Sequence, residues 1–141
     1  MKTLLESINH TLKYVFEESQ VSSAKLCSEL FYRSRATVTT IHFDHLITKS
    51  YARHMAMATF YEELPDLVDS FCEAFIGLYG KLEQIQPITP KVQKDIDCIM
   101  EFKNWLQQNR RDITDDSSQQ NILDEMETLC NSTIYKLQNL K

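Results

Sequence analysis

Residues 42–73 read HFDHLITKSYARHMAMATFYEELPDLVDSFCE, and this stretch decides how the rest of the chain is interpreted. Thr48 and Lys49 predict a turn, with Ser50 as the N-cap of a helix that runs to about Tyr79. Pro65 removes a backbone donor inside that helix and predicts a kink. Apolar or aromatic side chains recur every three or four positions, which is typical of one buried helix face. That face consists of His54, Met57, Tyr61, Leu64, Val68, Phe71, Phe75 and Leu78.

Four side chains in this stretch are candidate metal ligands: His42, His54, Asp69 and Glu73. Histidine and carboxylate together favour a first-row transition metal. Asp69 and Glu73 lie about one helical turn apart, whereas the fifteen residues from His54 to Asp69 rise about 22 Å on a straight helix. One ion holds its ligands within about 2–2.5 Å, so a single chain cannot supply all four. Two chains packed across a two-fold axis would bring both pairs together, which predicts at least a dimer.

The order of these four residues, at intervals of twelve, fifteen and four, resembles the ferroxidase motif of the Dps-like small ferritins. The resemblance implies iron sites between subunits, with His42 and His54 from one chain and Asp69 and Glu73 from its mate. It implies oxidation of Fe(II) by peroxide or oxygen; zinc and manganese are alternative metals. Three neighbours complete the expected site: His45 and Tyr61 around the ligands, and Glu62 as a substitute ligand. The sequence departs from the motif at Ala58, where that family usually has an acidic residue.

A second resemblance points to a different class of protein. The phrase FYEELPDLVDS is similar to a stretch of small tailed-phage proteins. The alternative hypothesis is therefore a non-catalytic helical interaction protein, such as a phage accessory factor that binds a host protein through an acidic groove. Each candidate ligand also has an ordinary explanation, because histidines on apolar helix faces are often hydrogen-bonded core residues and helical acids usually face water.

The composition predicts an all-α protein. The chain has 141 residues, 43% of them apolar, and its two glycines and three prolines all lie between Pro65 and Pro90. This length favours a single domain over residues 1–141, with a core over about 21–140. The expected fold is a four-helix bundle of ferritin-like type with an additional short N-terminal helix over residues 2–17. Two features of that helix are predicted: a capping box at Thr3 and Glu6, and an end near residues 17–20.

The other main helices are expected over residues 21–47, 90–110 and 116–140, the third beginning at Thr89 and Pro90. The segment 80–90 is either a crossover along the length of the bundle, as in ferritins, or the link of a simple up-down-up-down bundle. Asp95, Asp97 and Glu101 are expected to face solvent. The last two helices contain no Glu-x-x-His motif, so any metal site is predicted at a subunit interface.

Charge and cysteine use restrict the partners and the compartment. The net charge of -5 and the absence of a basic tail argue against strong nucleic-acid binding. The N-terminus does not resemble a signal peptide, and no segment has the apolar length of a membrane span. The four cysteines have no CxxC spacing, so we expect reduced, buried thiols in a cytoplasmic protein. They are Cys27, Cys72, Cys98 and Cys130.

Overall fold

A computed structural model describes the chain apart from residues 1 and 92 and the side chains of residues 16–22. The described residues form four helices and no strands, which confirms the all-α class. The helices are α1 (Leu4–Ile47), α2 (Tyr51–Tyr79), α3 (Asp95–Ile113) and α4 (Ser117–Asn139).

Helix α1 is a single helix of 44 residues, so the predicted division into a short N-terminal helix and a second helix is wrong. The capping box that starts it is confirmed: the Thr3 hydroxyl accepts from the Glu6 amide at 3.2 Å, and the Glu6 carboxylate accepts from the Thr3 amide at 2.8 Å. Residues 17–20 include neither glycine nor proline, and polar residues alone do not end a helix. The side chains there, and that of Ser22, lie outside the described residues.

Both ends of α2 are as predicted. The Ser50 hydroxyl accepts a hydrogen bond from the Arg53 amide at 3.2 Å and caps the start. Gly80 ends the helix in the left-handed region at φ 98°, a conformation that glycine adopts without a Cβ clash. The helix continues through Pro65, and the kink predicted there stays a prediction.

The predicted start of α3 at Thr89 and Pro90 is wrong, because helix begins only at Asp95. Residues 81–90 belong to no helix, and Ile88 and Pro90 line a cavity with Arg33 of α1 instead. The last helix begins one residue after the expected position, where the Asp116 carboxylate accepts from the Gln119 amide at 2.9 Å.

Each helix packs against two others, so the four form a closed ring in cross-section. Helix α1 contacts α2 and α3, and α4 contacts the same two helices. The Arg53 side chain, at the start of α2, contacts Asp95 at the start of α3 and the Leu137 carbonyl near the end of α4. At the other end, the Tyr79 and Thr114 hydroxyls meet at 2.7 Å. Neighbouring helices are therefore antiparallel, and α2 runs parallel to α3 across the diagonal.

This arrangement requires residues 80–94 to travel the length of the helices. The segment begins at Gly80, at the end of the bundle where the Tyr79 and Thr114 hydroxyls meet. It first contacts α1, where the Glu83 amide donates to the Ser28 hydroxyl at 3.1 Å. Further on, Ile88 and Pro90 line a small cavity with Arg33 of α1. The sequence left two connections open, and the structure has the long crossover.

The core lies inside this ring and contains the apolar face predicted for α2. Phe60, Leu64, Phe71 and Phe75 are wholly buried. Leu78, at the end of the predicted face, is 54% exposed. All four cysteines are buried and free, as predicted. None of the described helices is both long and apolar enough to cross a membrane.

Candidate functional site

Two histidines join α1 to α2 where the chain turns between them. The His45 Nδ1 lies 2.8 Å from the His54 carbonyl oxygen, and the His54 Nδ1 lies 3.1 Å from the His45 carbonyl oxygen. The two rings stack with centroids 3.6 Å apart. A carbonyl only accepts, so each Nδ1 must carry the proton and donate. In the neutral rings, both Nε2 atoms then keep a free lone pair.

This orientation of the two rings is compatible with two roles for each histidine. A histidine that binds a metal usually donates its other ring N–H to a carbonyl or carboxylate, which fixes the tautomer and the ring. The same bond also satisfies a histidine that only packs in a core. His45 is 8% exposed and fits the second role by itself. His54 is half-buried and is therefore the more accessible of the two residues.

Tyr61 and His42 extend the pair into a cluster of four rings. The His42 ring is exposed and stacks on Tyr61 with centroids 4.1 Å apart. His45 meets Tyr61 edge-on at 5.0 Å and His42 at 6.1 Å. We call His42, His45, His54 and Tyr61 the imidazole cluster. His45, expected to be a neighbour of the ligands, lies at its centre, between His42 and His54.

The predicted carboxylate ligands lie elsewhere. Asp69 and Glu73 are exposed on α2, and Glu62 is exposed between them and the cluster. His54 and Asp69 share one helix, so about 22 Å of helical rise separates them. Within the part of the chain that the structure describes, no group of three or more histidine, cysteine or acidic residues is placed to hold one ion. The four predicted ligands do not meet in one chain, and a shared site still requires a second copy.

The Arg53 side chain near the start of α2 contacts Asp95, which is therefore not the solvent-facing residue predicted from sequence. Its other guanidinium nitrogen donates to the Leu137 carbonyl at 2.9 Å. Arg53 holds three helix ends together, which is a structural role.

Large apolar side chains are exposed on both sides of the α1–α2 turn, in the stretch that also carries His45 and His54. Five residues within thirteen positions are strongly exposed, and we call them the apolar rim. They are Phe43 (61% exposed), Leu46 (67%), Ile47 (61%), Tyr51 (78%) and Met55 (48%). The first three share little more than one turn of α1, the last two are one turn apart on α2, and a connection of three residues separates the two helices.

A second surface feature is an acidic groove of about 520 Å³ between α2 and α4. Its floor contains Leu67 and Leu129. Its sides carry four carboxylates, from Glu63, Asp66, Asp124 and Glu125. The alternative hypothesis predicts that a partner binds through an acidic groove of this kind.

Comparison with known proteins places the chain in a family. The family model described as "Family of unknown function (DUF5856)" matches residues 45–137. The chain belongs to that family. It is also similar to an "Uncharacterized 14.6 kDa protein in mobD-ri intergenic region" of Enterobacteria phage T4, with 43% identity over 53 residues. That match covers 38% of this chain and 40% of the phage protein. No solved structure matches.

These matches confirm the resemblance to phage proteins, and neither carries a ferritin-like or Dps-like description. The family match includes His45, His54 and Tyr61 but begins after His42. It also includes the apolar rim apart from Phe43, and both sides of the acidic groove.

Sequence reasoning missed the apolar rim and the central position of His45. A signal for the rim was present: Phe43, Leu46 and Ile47 have helical spacing but lie off the buried face of α1. The position of His45 had no such signal, because it depends on how the chain turns between α1 and α2.

Proposed function

We propose that this protein is a non-catalytic helical interaction protein that self-associates through the apolar rim. The carrying observation is the exposure of Phe43, Leu46, Ile47, Tyr51 and Met55 on both sides of the α1–α2 turn. Large apolar side chains that are exposed together in a short stretch of a fold are typical of an interaction surface.

The chemistry of the rim favours a second copy of this chain as the occupant. The rim sits on two antiparallel helices, and a two-fold axis would place the same patch on both sides of the interface. Its side chains are uncharged, so identical copies meet there without like-charge repulsion, although each chain carries a net charge of -5. Tyr61, on which the exposed His42 ring stacks, adds an aromatic side chain of a type that is enriched in interfaces.

Light scattering at micromolar concentration tests this proposal. We expect a dimer for the native chain and a monomer for Leu46→Glu, because two buried carboxylates would face each other across the axis. Tyr135→Glu is the matched control: Tyr135 is 60% exposed but lies on α4, outside the rim. A native monomer at tens of micromolar, or equal effects of the two substitutions, would overturn the proposal.

A metal site shared between two such copies is the second candidate function. It is favoured by the free Nε2 of His54 and by the exposure of Asp69 and Glu73 on the same helix. Iron, with zinc or manganese as alternatives, would be held by His42 and His54 of one copy and Asp69 and Glu73 of the other. A redox-active metal would supply the electron transfer of a ferroxidase, while the protein would fix the geometry. A single long crossover, as here, is the connectivity of ferritin-like folds, and it supports this candidate.

The fit of the residues is incomplete, since His42 stacks on Tyr61 and His45 separates it from His54. Calorimetric titration with Zn²⁺ and with anaerobic Fe²⁺ tests this candidate. We expect one site per chain in the native dimer and none in His54→Ala or Asp69→Asn, while His10→Ala, an exposed histidine on α1, binds normally. A native dimer that binds neither metal would leave only the interaction function.

A further inference from the structure

Two of the four thiols face each other between α1 and α2. The Cys27 Sγ donates to the Cys72 Sγ at a separation of 4.0 Å. Cys27 is wholly buried, whereas Cys72 is 7% exposed. A disulfide needs the sulfur atoms at about 2 Å, so a closure of roughly 2 Å would join them.

Among the described residues, neither of the other two cysteines is hydrogen-bonded to a second thiol. Cys98 is hydrogen-bonded with the Thr37 and Thr40 side chains, and burial raises its pKa. Burial raises the pKa of Cys130 to about 12, which leaves almost no thiolate at neutral pH. The chain therefore offers one candidate pair and two internal controls.

The two members of the pair differ in reactivity. The hydrogen bond from Cys27 lowers the pKa of Cys72, against the opposing effects of burial and of Asp69. The same hydrogen bond and burial raise the pKa of Cys27. A thiolate is the reacting form of cysteine, so Cys72, which is also the more accessible of the two, is the one that reacts first.

We propose that Cys27 and Cys72 form an intramolecular disulfide on exposure to a small peroxide. The Cys72 thiolate attacks one oxygen of H₂O₂, which breaks the O–O bond and gives a sulfenic acid and hydroxide. The Cys27 sulfur then attacks the Cys72 sulfur and expels the hydroxyl group, and the Cys27 proton leaves with it as water. Two thiols and one H₂O₂ give one disulfide and two waters, and the two sulfurs lose two electrons. A small oxidant is required because a 7% exposed sulfur excludes a bulky one.

The bond would fix α1 to α2 far from the imidazole cluster. Cys27 lies eighteen residues before His45, and Cys72 lies eighteen residues after His54. Eighteen residues make five helical turns. The cysteine pair and the histidine pair therefore lie on the same two facing helix surfaces, about 27 Å apart along the helices. In the reduced chain, α1 and α2 are joined covalently only by the turn between them. Oxidation would add a second covalent connection, between residues 27 and 72.

Intact-protein mass spectrometry after H₂O₂ treatment of the full chain tests the proposal. We expect the native protein to lose about 2 Da as two thiols become a disulfide, and a Cys27–Cys72 cross-linked peptide to appear after digestion. Cys98→Ala and Cys130→Ala should show the same loss, whereas Cys27→Ala and Cys72→Ala should not. Closing this 45-residue loop should also raise the melting temperature by on the order of 10 °C, reversed by a reductant.

Three outcomes would overturn the proposal: a native chain that only gains oxygen, a disulfide that joins two chains, or a bond that involves Cys98 or Cys130. Because Cys27→Ala opens a small cavity in the core, Cys72→Ala is the decisive variant, and circular dichroism before oxidation confirms that it is folded. The result is independent of the self-association proposal, since the sulfurs are buried within one chain.

Discussion

His45 and His54 exchange hydrogen bonds across the α1–α2 junction, with each ring nitrogen Nδ1 donating to the main-chain carbonyl of the other residue. The two residues are nine positions apart and lie on either side of the turn. The exchange satisfies two ring donors in a partly buried environment and sets the register of the two helices.

Replacing His45 by Ala should destabilise the fold by about 2 kcal/mol, because the change removes a buried ring and one of the two hydrogen bonds. His54→Ala should have a similar effect, and the double variant should lose about 1 kcal/mol less than the sum of the two. Urea unfolding measures all three. His10→Ala is the control and should change little, since His10 is exposed. Strict additivity would show that the two histidines are not coupled.

Arg53→Ala should lower the unfolding free energy by about 1–2 kcal/mol. The guanidinium joins Asp95 of α3 to the Leu137 carbonyl of α4, and its side chain is 29% exposed, so solvent weakens the ion pair only in part. Arg35→Ala is the control, because Arg35 is exposed and its guanidinium lies over the Phe31 ring rather than in an ion pair among the described residues. Equal losses in the two variants would contradict the role assigned to Arg53.

Acid should weaken the start of α4 through Asp116. Hydrogen bonds from the Ser118 hydroxyl and the Gln119 amide hold the pKa of Asp116 below its usual value. A depressed pKa in the folded state contributes stability above the unfolded value of 3.8, and that contribution is lost as the pH falls through the folded value. Asp116→Asn keeps an N-cap acceptor but does not titrate. The loss of stability between pH 6 and pH 3 should therefore be smaller in Asp116→Asn than in the native chain.

Pro65→Ala should stabilise the protein by at least about 1 kcal/mol, because alanine restores a backbone donor inside α2 and favours helix. Pro65 is half-buried and is not one of the core residues, so little packing is lost. Ser70→Ala, an exposed position in the same helix, controls for helix propensity and should gain less than half as much. A loss of stability in Pro65→Ala would show that the packing of α2 depends on a bend at this proline.

The sequence predicted local features well. The Thr3–Glu6 capping box, the Ser50 cap and the end of α2 at Gly80 all depend on residues within one turn, and all are confirmed. It failed at positions decided by distant contacts. Helix α3 begins at Asp95 rather than at Pro90. Ile88 and Pro90 instead line a cavity with Arg33 of α1.

In the candidate site, too, local spacing was predicted and contacts between distant residues were not. The four predicted ligands were chosen by spacing along one chain, and spacing cannot show that His45 would occupy the space between His42 and His54. Glu62, Asp69 and Glu73 were expected near a second chain, and one chain leaves them exposed on α2. Calorimetric titration of the native dimer tests that part of the prediction.

The crossover also has a consequence for the order of assembly. Helices α1 and α2 form one hairpin and α3 and α4 form another, each closed by a connection of three residues. Helix α1 packs more extensively against α2 than against α3, so this hairpin should form early, on the microsecond scale of helical elements. Helices α3 and α4 pack more extensively against the first hairpin than against each other. Residues 80–94 then act as a tether that keeps them near the first hairpin, at an effective concentration of order millimolar. Lengthening this tether should slow the docking of α3 and α4 and leave the formation rate of the first hairpin unchanged.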